Sequence, residues 1–191
     1  MAIASLYECF NHWHAQGAVW LYSDPHFGDK DLAEGQVNRP DDETQIKMIN
    51  SKVGKKDTLI ILGDVGDIEC AKRLKGYKIL ICGNHDAGHT TYKEVFNEVY
   101  TGPLMIGEKL ILSHEPLGCT WAYNIHGHMH QGSKKGTYSF NCCAEAINFT
   151  PVNFNQWMKQ GYLAHVDSLH RTTIDTATKR KQKRGGKKIG K

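Results

Sequence analysis

The 191-residue sequence lacks several features that mark common classes of protein. It has no run of about 18 apolar residues, which a transmembrane helix needs, and no basic segment followed by an apolar one near the N-terminus. We therefore expect no membrane association and a cytoplasmic location. The six cysteines form no C-x-x-C pair, so neither zinc-binding nor redox chemistry is indicated for them. The length and the 40% hydrophobic composition predict one compact domain with a substantial core.

The positive charge is concentrated at the C-terminus. Of the 24 Lys and Arg residues, eight lie in Lys179–Lys191, which contains no acidic residue, so the rest of the chain has 16 basic and 20 acidic residues. This segment has almost no apolar side chains and cannot build a core, so we expect a solvated, disordered tail. Such a tail can contact nucleic acid through its phosphates. The sequence thus predicts a folded domain over residues 1–165 and a C-terminal extension over residues 166–191 that ends in the basic tail.

Strands and helices are predicted to alternate along the chain. Apolar runs predict strands at 18–23, 58–62, 77–82, 104–106 and 110–113, the last two as a hairpin around Gly107. A further short strand is predicted at 124–126, and alternating residues predict one at 137–142. Helices are predicted at 40–53, 68–74, 91–100 and 154–161, the last one capped by Asn153. This alternation indicates an α/β protein, in which ligands bind beyond the carboxyl ends of the strands.

Polar side chains collect in the glycine-marked loops directly after the predicted strands. Imidazoles and carboxylates gathered there are costly to bury unless a cation holds them, which makes metal binding the economical interpretation. Histidine nitrogen with Asp and Asn oxygen, and no thiolate, suits ions such as Mn²⁺, Fe or Zn²⁺. The set is too large for one tetrahedral site but fits two ions that share a carboxylate. Its members are Asp24, His26, Asp64, Asn84, His114, His128 and His130.

The formal charge of such a site favours hydrolysis of a phosphoester. Two divalent ions, two aspartates and a metal-bridging hydroxide leave a net charge of about +1. That charge attracts an anionic phosphate oxygen, and the hydroxide is a competent nucleophile at neutral pH. A phosphoester substrate is therefore predicted.

Five short motifs, in this order, resemble the signature of the calcineurin-like metallophosphoesterase superfamily. They are Asp24-x-His26, Gly63-Asp64-x-x-Asp67, Gly83-Asn84-His85-Asp86, Ser113-His114 and Gly127-His128-x-His130. Asn141-Cys142-Cys143, Thr150-Pro151-Val152 and the predicted helix after Asn153 resemble the closing segment of its small bacterial and phage-type members. The resemblance implies that residues 1–165 are the metallophosphoesterase domain. It also implies the fold, a two-sheet β-sandwich flanked by helices in four α/β/β/α layers.

The same resemblance implies roles for these side chains. One metal would be held by Asp24, His26, Asp64 and His130, and the other by Asp64, Asn84, His114 and His128. His85 matches the general acid that protonates the departing alkoxide, and Asp67 matches the carboxylate that orients this imidazole. The cofactor is then a pair of divalent ions, with Mn²⁺ as the first choice and Fe, Zn, Ni or Co as alternatives.

Three functions are compatible with these residues. The first is a dinuclear metal-dependent phosphoesterase, a hydrolase acting as a phosphodiesterase with the bridging hydroxide as its nucleophile. The second is a nuclease that uses the 179–191 tail to bind nucleic acid. The third is a non-catalytic metal-binding scaffold of the same fold, although the presence of His85 and of every matching ligand favours an enzyme.

Overall fold

The computed structural model describes residues 17–30, 32, 39–86, 89–106 and 109–166. The strands in this part of the chain are β1 (Val19–Tyr22), β2 (Thr58–Ile61), β3 (Tyr77–Ile81), β4 (Glu98–Tyr100), β5 (Leu104–Ile106), β6 (Leu110–Leu112), β7 (Tyr123–His126), β8 (Ser139–Asn141) and β9 (Val152–Asn153). The helices are α1 (Asp42–Lys52), α2 (Ile68–Lys72), α3 (His89–Tyr92) and α4 (Phe154–Lys159), followed by a 3₁₀ turn over Tyr162–His165.

The strands form two sheets. The first has the order β4-β3-β2-β1-β9, with β1 to β4 parallel and β9 antiparallel to β1. The second has the order β5-β6-β7-β8, with β6, β7 and β8 parallel and β5 antiparallel to β6. Because parallel strands end at the same edge of a sheet, the loops after β1, β2 and β3 lie together, and so do those after β6 and β7.

One hydrophobic core contains side chains of both sheets. All residues of β2 and of β7 are buried, as expected for central strands covered on both faces. Trp157 of α4 packs edge-on against Tyr123, with ring centroids 5.3 Å apart. Asn153 caps α4 by accepting the Gln156 amide at 3.0 Å, which confirms the predicted cap.

A short segment after β8 connects the two sheets through its backbone. The Cys142 amide donates to the His126 carbonyl at 2.6 Å, at the end of β7. The Ala144 amide donates to the Ser23 carbonyl at 3.0 Å, directly after β1. The ends of β1 and β7 are therefore held next to each other, and the loops that follow them meet.

The structure confirms a mixed α/β protein with two sheets and the predicted hairpin of β5 and β6. The helix predicted at 91–100 is wrong beyond Tyr92, since Glu98–Tyr100 is the edge strand β4. Pairing with β3 supplies the backbone hydrogen bonds of this segment, so tertiary structure overrides its helical pattern.

The predicted 166–191 extension lies, apart from Val166, outside the described residues. None of the described helices has the length and hydrophobicity needed to cross a bilayer.

Candidate metal centre

All seven predicted metal ligands lie in loops at the carboxyl ends of strands, where the two sheets meet. The loops after β1, β2 and β3 contribute Asp24, His26, Asp64 and Asn84, and those after β6 and β7 contribute His114, His128 and His130. Asp24, His26, Asp64 and His114 are buried, His128 and His130 are partly buried, and Asn84 is exposed. The fold therefore brings together residues that are more than a hundred positions apart in the sequence.

Asp64 is common to two groups of side chains that could hold a metal ion. One group is Asp24, His26 and Asp64, the other is Asp64, His114 and His128, and the ligand atoms within each group lie within 4.8 Å of one another. Asp64 Oδ2 is 3.4 Å from His26 Nε2 and 3.4 Å from His114 Nε2. Although burial raises the pKa of Asp64, the neighbouring His26 and the His85 amide lower it, and the net shift is downward. Asp64 is thus an ionised carboxylate between two sets of ligands, as a bridging carboxylate must be.

The hydrogen bonds of His114 leave one ring nitrogen facing an acceptor. Its Nδ1–H donates to the Leu62 carbonyl at 2.8 Å, so in the neutral imidazole the lone-pair atom is Nε2. This Nε2 lies 2.8 Å from Asn84 Oδ1 and 3.1 Å from His128 Nδ1. A nitrogen lone pair this close to an amide oxygen is repelled unless a cation lies between them.

His130 is oriented in the same way, by a carboxylate. Its Nδ1–H donates to Glu145 Oε2 at 2.9 Å, so in the neutral imidazole the lone-pair atom is Nε2, which lies 3.7 Å from Asp24 Oδ1. Asp24 Oδ1 and His26 Nε2 are buried and have no hydrogen-bond partner within the described part of the chain. Buried polar atoms without a partner are costly. Because these atoms face the other ligands, the donor set fits a divalent cation.

A buried ion pair holds the carboxylate behind His130. Arg39, whose side chain is 3% exposed, pairs with Glu145 Oε1, and its Nη2 donates to the Asp24 carbonyl at 2.9 Å. Burial raises the pKa of Glu145, but hydrogen bonds from His130 and Cys143 and the charge of Arg39 lower it to about 2. The hydrogen bond with Glu145 in turn raises the pKa of His130. One network therefore fixes both the His130 ring and the backbone of Asp24.

Cys143 belongs to a third group of nearby donors, with Asp24 and His130. Its thiol donates to Glu145 Oε2 at 3.0 Å. Burial and the adjacent carboxylates of Asp24 and Glu145 raise the pKa of this thiol. Since a thiol must lose its proton to bind a metal, these contacts favour Cys143 as a neutral neighbour of the ligands.

The ligand loops adopt a backbone conformation that residues other than glycine rarely take. The φ angle is positive at Asp24 (57°), His26 (44°), Asp64 (53°) and His128 (65°). Such residues cost roughly 1–3 kcal/mol each and concentrate at functional sites. Asp86 holds one of these loops, because its carboxylate accepts the Asp64 amide at 2.9 Å.

Two glycines of the motifs allow neighbouring chain segments to approach the ligands closely. A Cβ atom at Gly83 would lie 2.2 Å from Asp64 Oδ1. A Cβ atom at Gly127 would lie 1.8 Å from Ser23 Oγ and 2.3 Å from Asp24 Oδ2. Only glycine fits at these two positions without moving a proposed ligand.

His85 lies at the edge of the centre. It is exposed, its ring centroid is 5.5 Å from that of His26, and its amide donates to Asp64 Oδ1 at 2.9 Å. Asp67 caps α2, where its Oδ1 accepts the Glu69 amide at 2.7 Å. Asp67 and His85 both belong to the described chain, and no hydrogen bond or ion pair joins their side chains there. The role of Asp67 in orienting His85 stays a prediction.

The sequence predicts no role for three residues that contact the centre, which are Arg39, Glu145 and Asp86. Arg39 and Glu145 are 106 positions apart, so no short motif contains the pair. Glu145 is 15 positions from His130, and only the fold brings the two together. Asp86 does stand inside the Gly-Asn-His-Asp motif, which is a sequence signal for its support of the Asp64 loop.

Comparison with models of known protein families gives no match. The chain is similar over part of its length to two curated proteins, the gene 66 proteins of Mycobacterium phage D29 and Mycobacterium phage L5. It is 33% identical to the first over 87 residues, which are 40% of this chain and 44% of that protein. It is 40% identical to the second over 84 residues, 37% of this chain and 41% of that protein. The chain thus matches less than half the length of these relatives.

Among solved structures, the chain is similar to the protein of unknown function AQ665 from Aquifex aeolicus. The TM-score is 0.64 at 23% sequence identity, over 76% of this chain and 100% of that chain. This likeness shows a shared fold. The chain is also similar to Pseudomonas putida nuclease MPE, with a TM-score of 0.45 at 23% identity over 59% of this chain and 61% of that chain.

Proposed function

We propose that the protein is a dinuclear metal-dependent phosphoesterase of the calcineurin-like metallophosphoesterase superfamily, acting as a phosphodiesterase. The main support for this proposal is that two imidazole nitrogens lie close to the shared Asp64. Asp64 Oδ2 is 3.4 Å from His26 Nε2 and 3.4 Å from His114 Nε2. The order of the five motifs supports the same superfamily. The four-layer α/β/β/α arrangement belongs to this proposal, with the two sheets as its inner layers.

The seven ligands divide into two sets that share Asp64. The first set is Asp24, His26, Asp64 and His130, and the second is Asp64, Asn84, His114 and His128. Nitrogen and oxygen donors without thiolate suit Mn²⁺, with Fe, Zn, Ni or Co as alternatives. When bound, two divalent cations supply positive charge for a phosphate oxygen and make water nucleophilic at neutral pH.

The other side chains bind, orient or transfer a proton. Glu145 and the Leu62 carbonyl hold the tautomers in which His130 and His114 present Nε2 to the centre. His85 lies outside both ligand sets, so its imidazole is free to donate a proton to the departing alkoxide oxygen. In this proposal Asp67 orients the His85 imidazole. The Asp67 side chain caps α2, and this contact fixes the position of the Asp67 carboxylate.

Activity measured after metal removal and readdition tests this function. Metal-stripped protein is assayed with bis(p-nitrophenyl) phosphate and with p-nitrophenyl phosphate, before and after addition of Mn²⁺, and the metal content of the same sample is determined. We expect hydrolysis that depends on the metal, with the higher kcat/KM for the diester. Bound metal with neither activity would overturn the proposal and favour the non-catalytic scaffold.

The basic segment Lys179–Lys191 favours a nuclease as the second candidate. Its eight positive charges would add affinity for any nucleic acid without reading sequence. Cleavage of DNA or RNA that weakens when the segment is deleted would support this alternative. Hydrolysis of small diesters without any cleavage of polymers would exclude it.

A further inference from the structure

A cavity of about 260 Å³ opens beside one half of the proposed metal centre. Its wall includes Asn84 and His114, two ligands of the second proposed set, and none of the residues Asp24, His26 and His130. The cavity is slightly smaller than the ~300–1,000 Å³ typical of pockets for drug-sized ligands. It therefore has room for one small organic group directly beside the position that a bound phosphate would take.

His85 lies beside His26 of the first proposed ligand set, whereas the cavity lies beside Asn84 and His114 of the second. Its ring is 5.5 Å from that of His26, and neither residue contributes to the cavity wall. In an in-line displacement, the leaving oxygen faces the general acid, while the second substituent of a diester stays on the phosphorus. With His85 as the acid, the cavity is on the side of the substituent that stays.

The wall of the cavity suits an uncharged group with hydrogen-bond donors. Ile81, Pro103 and Leu117 give it apolar surface. Glu115 is exposed, and its carboxylate has no ion pair or hydrogen bond with any side chain that the structure describes. A carboxylate accepts N–H and O–H donors and repels a second phosphate. The Thr101 hydroxyl adds another polar group at the wall.

We propose, on the basis of the phosphodiesterase function above, that this cavity binds a nucleoside and that the substrate is a nucleotide diester. A nucleoside combines apolar ring faces with N–H and O–H donors and carries no charge. Those properties match the apolar surface and the free carboxylate of the wall. The nucleoside would be the substituent retained on the phosphate, and the other alcohol would leave beside His85.

Two diesters that differ only in the retained group test this assignment. The p-nitrophenyl ester of thymidine 5′-phosphate and methyl p-nitrophenyl phosphate have the same leaving group, so the demand on the general acid is equal. We expect the kcat/KM of the thymidine ester to be higher by about tenfold or more, the scale of discrimination that a few contacts in a pocket provide. Equal values for the two esters would overturn the assignment.

Filling the cavity gives a matched pair of variants. Gly102 lies in the wall, and a Cβ atom there has no atom within 4 Å, so Gly102→Phe adds a ring at the wall without a clash at Cβ. Gly118 also has no atom within 4 Å of a Cβ atom but is not part of the wall, so Gly118→Phe is the control. We expect only Gly102→Phe to abolish the preference for the thymidine ester. Metal content should not change in either variant, and Gly118→Phe should also leave kcat/KM for the methyl ester unchanged.

Calorimetric binding of thymidine 5′-phosphate to the metal-loaded protein provides a readout independent of turnover. We expect binding that Gly102→Phe weakens and Gly118→Phe does not. If Gly102→Phe slows both esters equally, or leaves the preference intact, the cavity does not hold the retained group. If the metal-loaded protein hydrolyses neither these diesters nor bis(p-nitrophenyl) phosphate, the proposed phosphodiesterase function fails as well, and with it the assignment of the cavity.

Discussion

Two histidines of the candidate centre owe their orientation to hydrogen bonds on the far side of the ring. The Leu62 carbonyl accepts Nδ1–H of His114, and the Glu145 carboxylate accepts Nδ1–H of His130. Both rings are therefore fixed with Nε2 toward the carboxylates. Outer contacts of this kind contribute strongly to metal affinity, because a ligand that is already oriented loses little freedom on binding.

Glu145→Gln tests this contribution. The substitution keeps the shape of the side chain but removes its charge, so it weakens both the contact with His130 and the ion pair with Arg39. We expect metal affinity to fall by about 10–100-fold, measured by competition with a chelator. Glu43→Gln is the control, since Glu43 also pairs with an arginine but is exposed, and its described partner Arg73 is not a proposed ligand. Unchanged affinity in Glu145→Gln would show that the network has no role in metal binding.

His85→Ala separates proton donation from metal binding. The variant should retain its bound metal, because His85 is outside both ligand sets. Turnover of diesters with poor leaving groups should fall by about 10²–10⁴-fold, since those groups need the proton most, and turnover of p-nitrophenyl esters should fall less. Steady-state kinetics with both kinds of ester, together with metal analysis, measures the difference. Equal losses for both esters, or loss of the metal, would refute the assignment of His85.

At the scale of elements, the sequence predicts the strands that carry the centre but not β4 and β9, the two edge strands of the first sheet. β2 and β3 are apolar runs and β7 is a short strand; glycine-containing loops follow all three, and their positions are confirmed. β4 and β9 have only three and two residues, too few for a periodic pattern, and they form because β3 and β1 offer unpaired edges. The same distinction applies at the centre, where short motifs contain the predicted ligands but not Arg39 and Glu145, which meet only in the fold.

Gly127→Ala tests the close approach of the loops after β7 and β1. The added methyl group would overlap Ser23 Oγ and Asp24 Oδ2, so we expect the free energy of unfolding to fall by about 1–3 kcal/mol or more, with reduced metal affinity. Gly102→Ala is the control, because a Cβ atom there has open space. Chemical denaturation of both variants measures the effect. Equal stabilities would mean that the two loops are not held together as described.

Asp57 joins β1 to the turn before β2. Its carboxylate accepts the amides of Ala18 at 2.9 Å and Gly54 at 2.8 Å and the indole N–H of Trp20 at 3.0 Å. Burial raises the pKa of Asp57, but these hydrogen bonds lower it below its ordinary value of 3.8. A lowered pKa in the folded state means that the stabilisation is complete above the unfolded pKa and is lost as the pH falls through the folded one.

Asp57→Asn should therefore lower the free energy of unfolding at pH 7 and reduce its loss as the pH falls below the ordinary pKa of 3.8. Denaturant titrations at neutral and acidic pH measure this dependence. Glu94→Gln is the control, because it removes an exposed carboxylate two residues after α3. This variant should keep the wild-type pH dependence of the free energy of unfolding. An identical acid dependence in Asp57→Asn and wild type would contradict the role of these hydrogen bonds.

At the scale of the whole molecule, the basic segment and the rest of the chain have opposite net charge. Deleting 179–191 removes eight positive charges and leaves 16 basic and 20 acidic residues. We expect the shortened protein to lose salt-dependent affinity for DNA, because each phosphate contact adds about −0.9 to the slope of log K against log salt. Hydrolysis of bis(p-nitrophenyl) phosphate should be unchanged. Fluorescence anisotropy at two salt concentrations measures the binding, and DNA affinity that survives the deletion would remove the support for the nuclease alternative.

The central claim is that two metal ions share Asp64, and counting ions in wild type and two variants tests it most directly. Each protein is loaded with Mn²⁺, freed of unbound metal and analysed for manganese per chain. We predict two ions in wild type, one in His130→Ala, which loses a ligand of the first set only, and no tightly bound ion in Asp64→Ala, which loses a ligand of both sets. A single ion in wild type, or two ions retained by Asp64→Ala, would contradict the account.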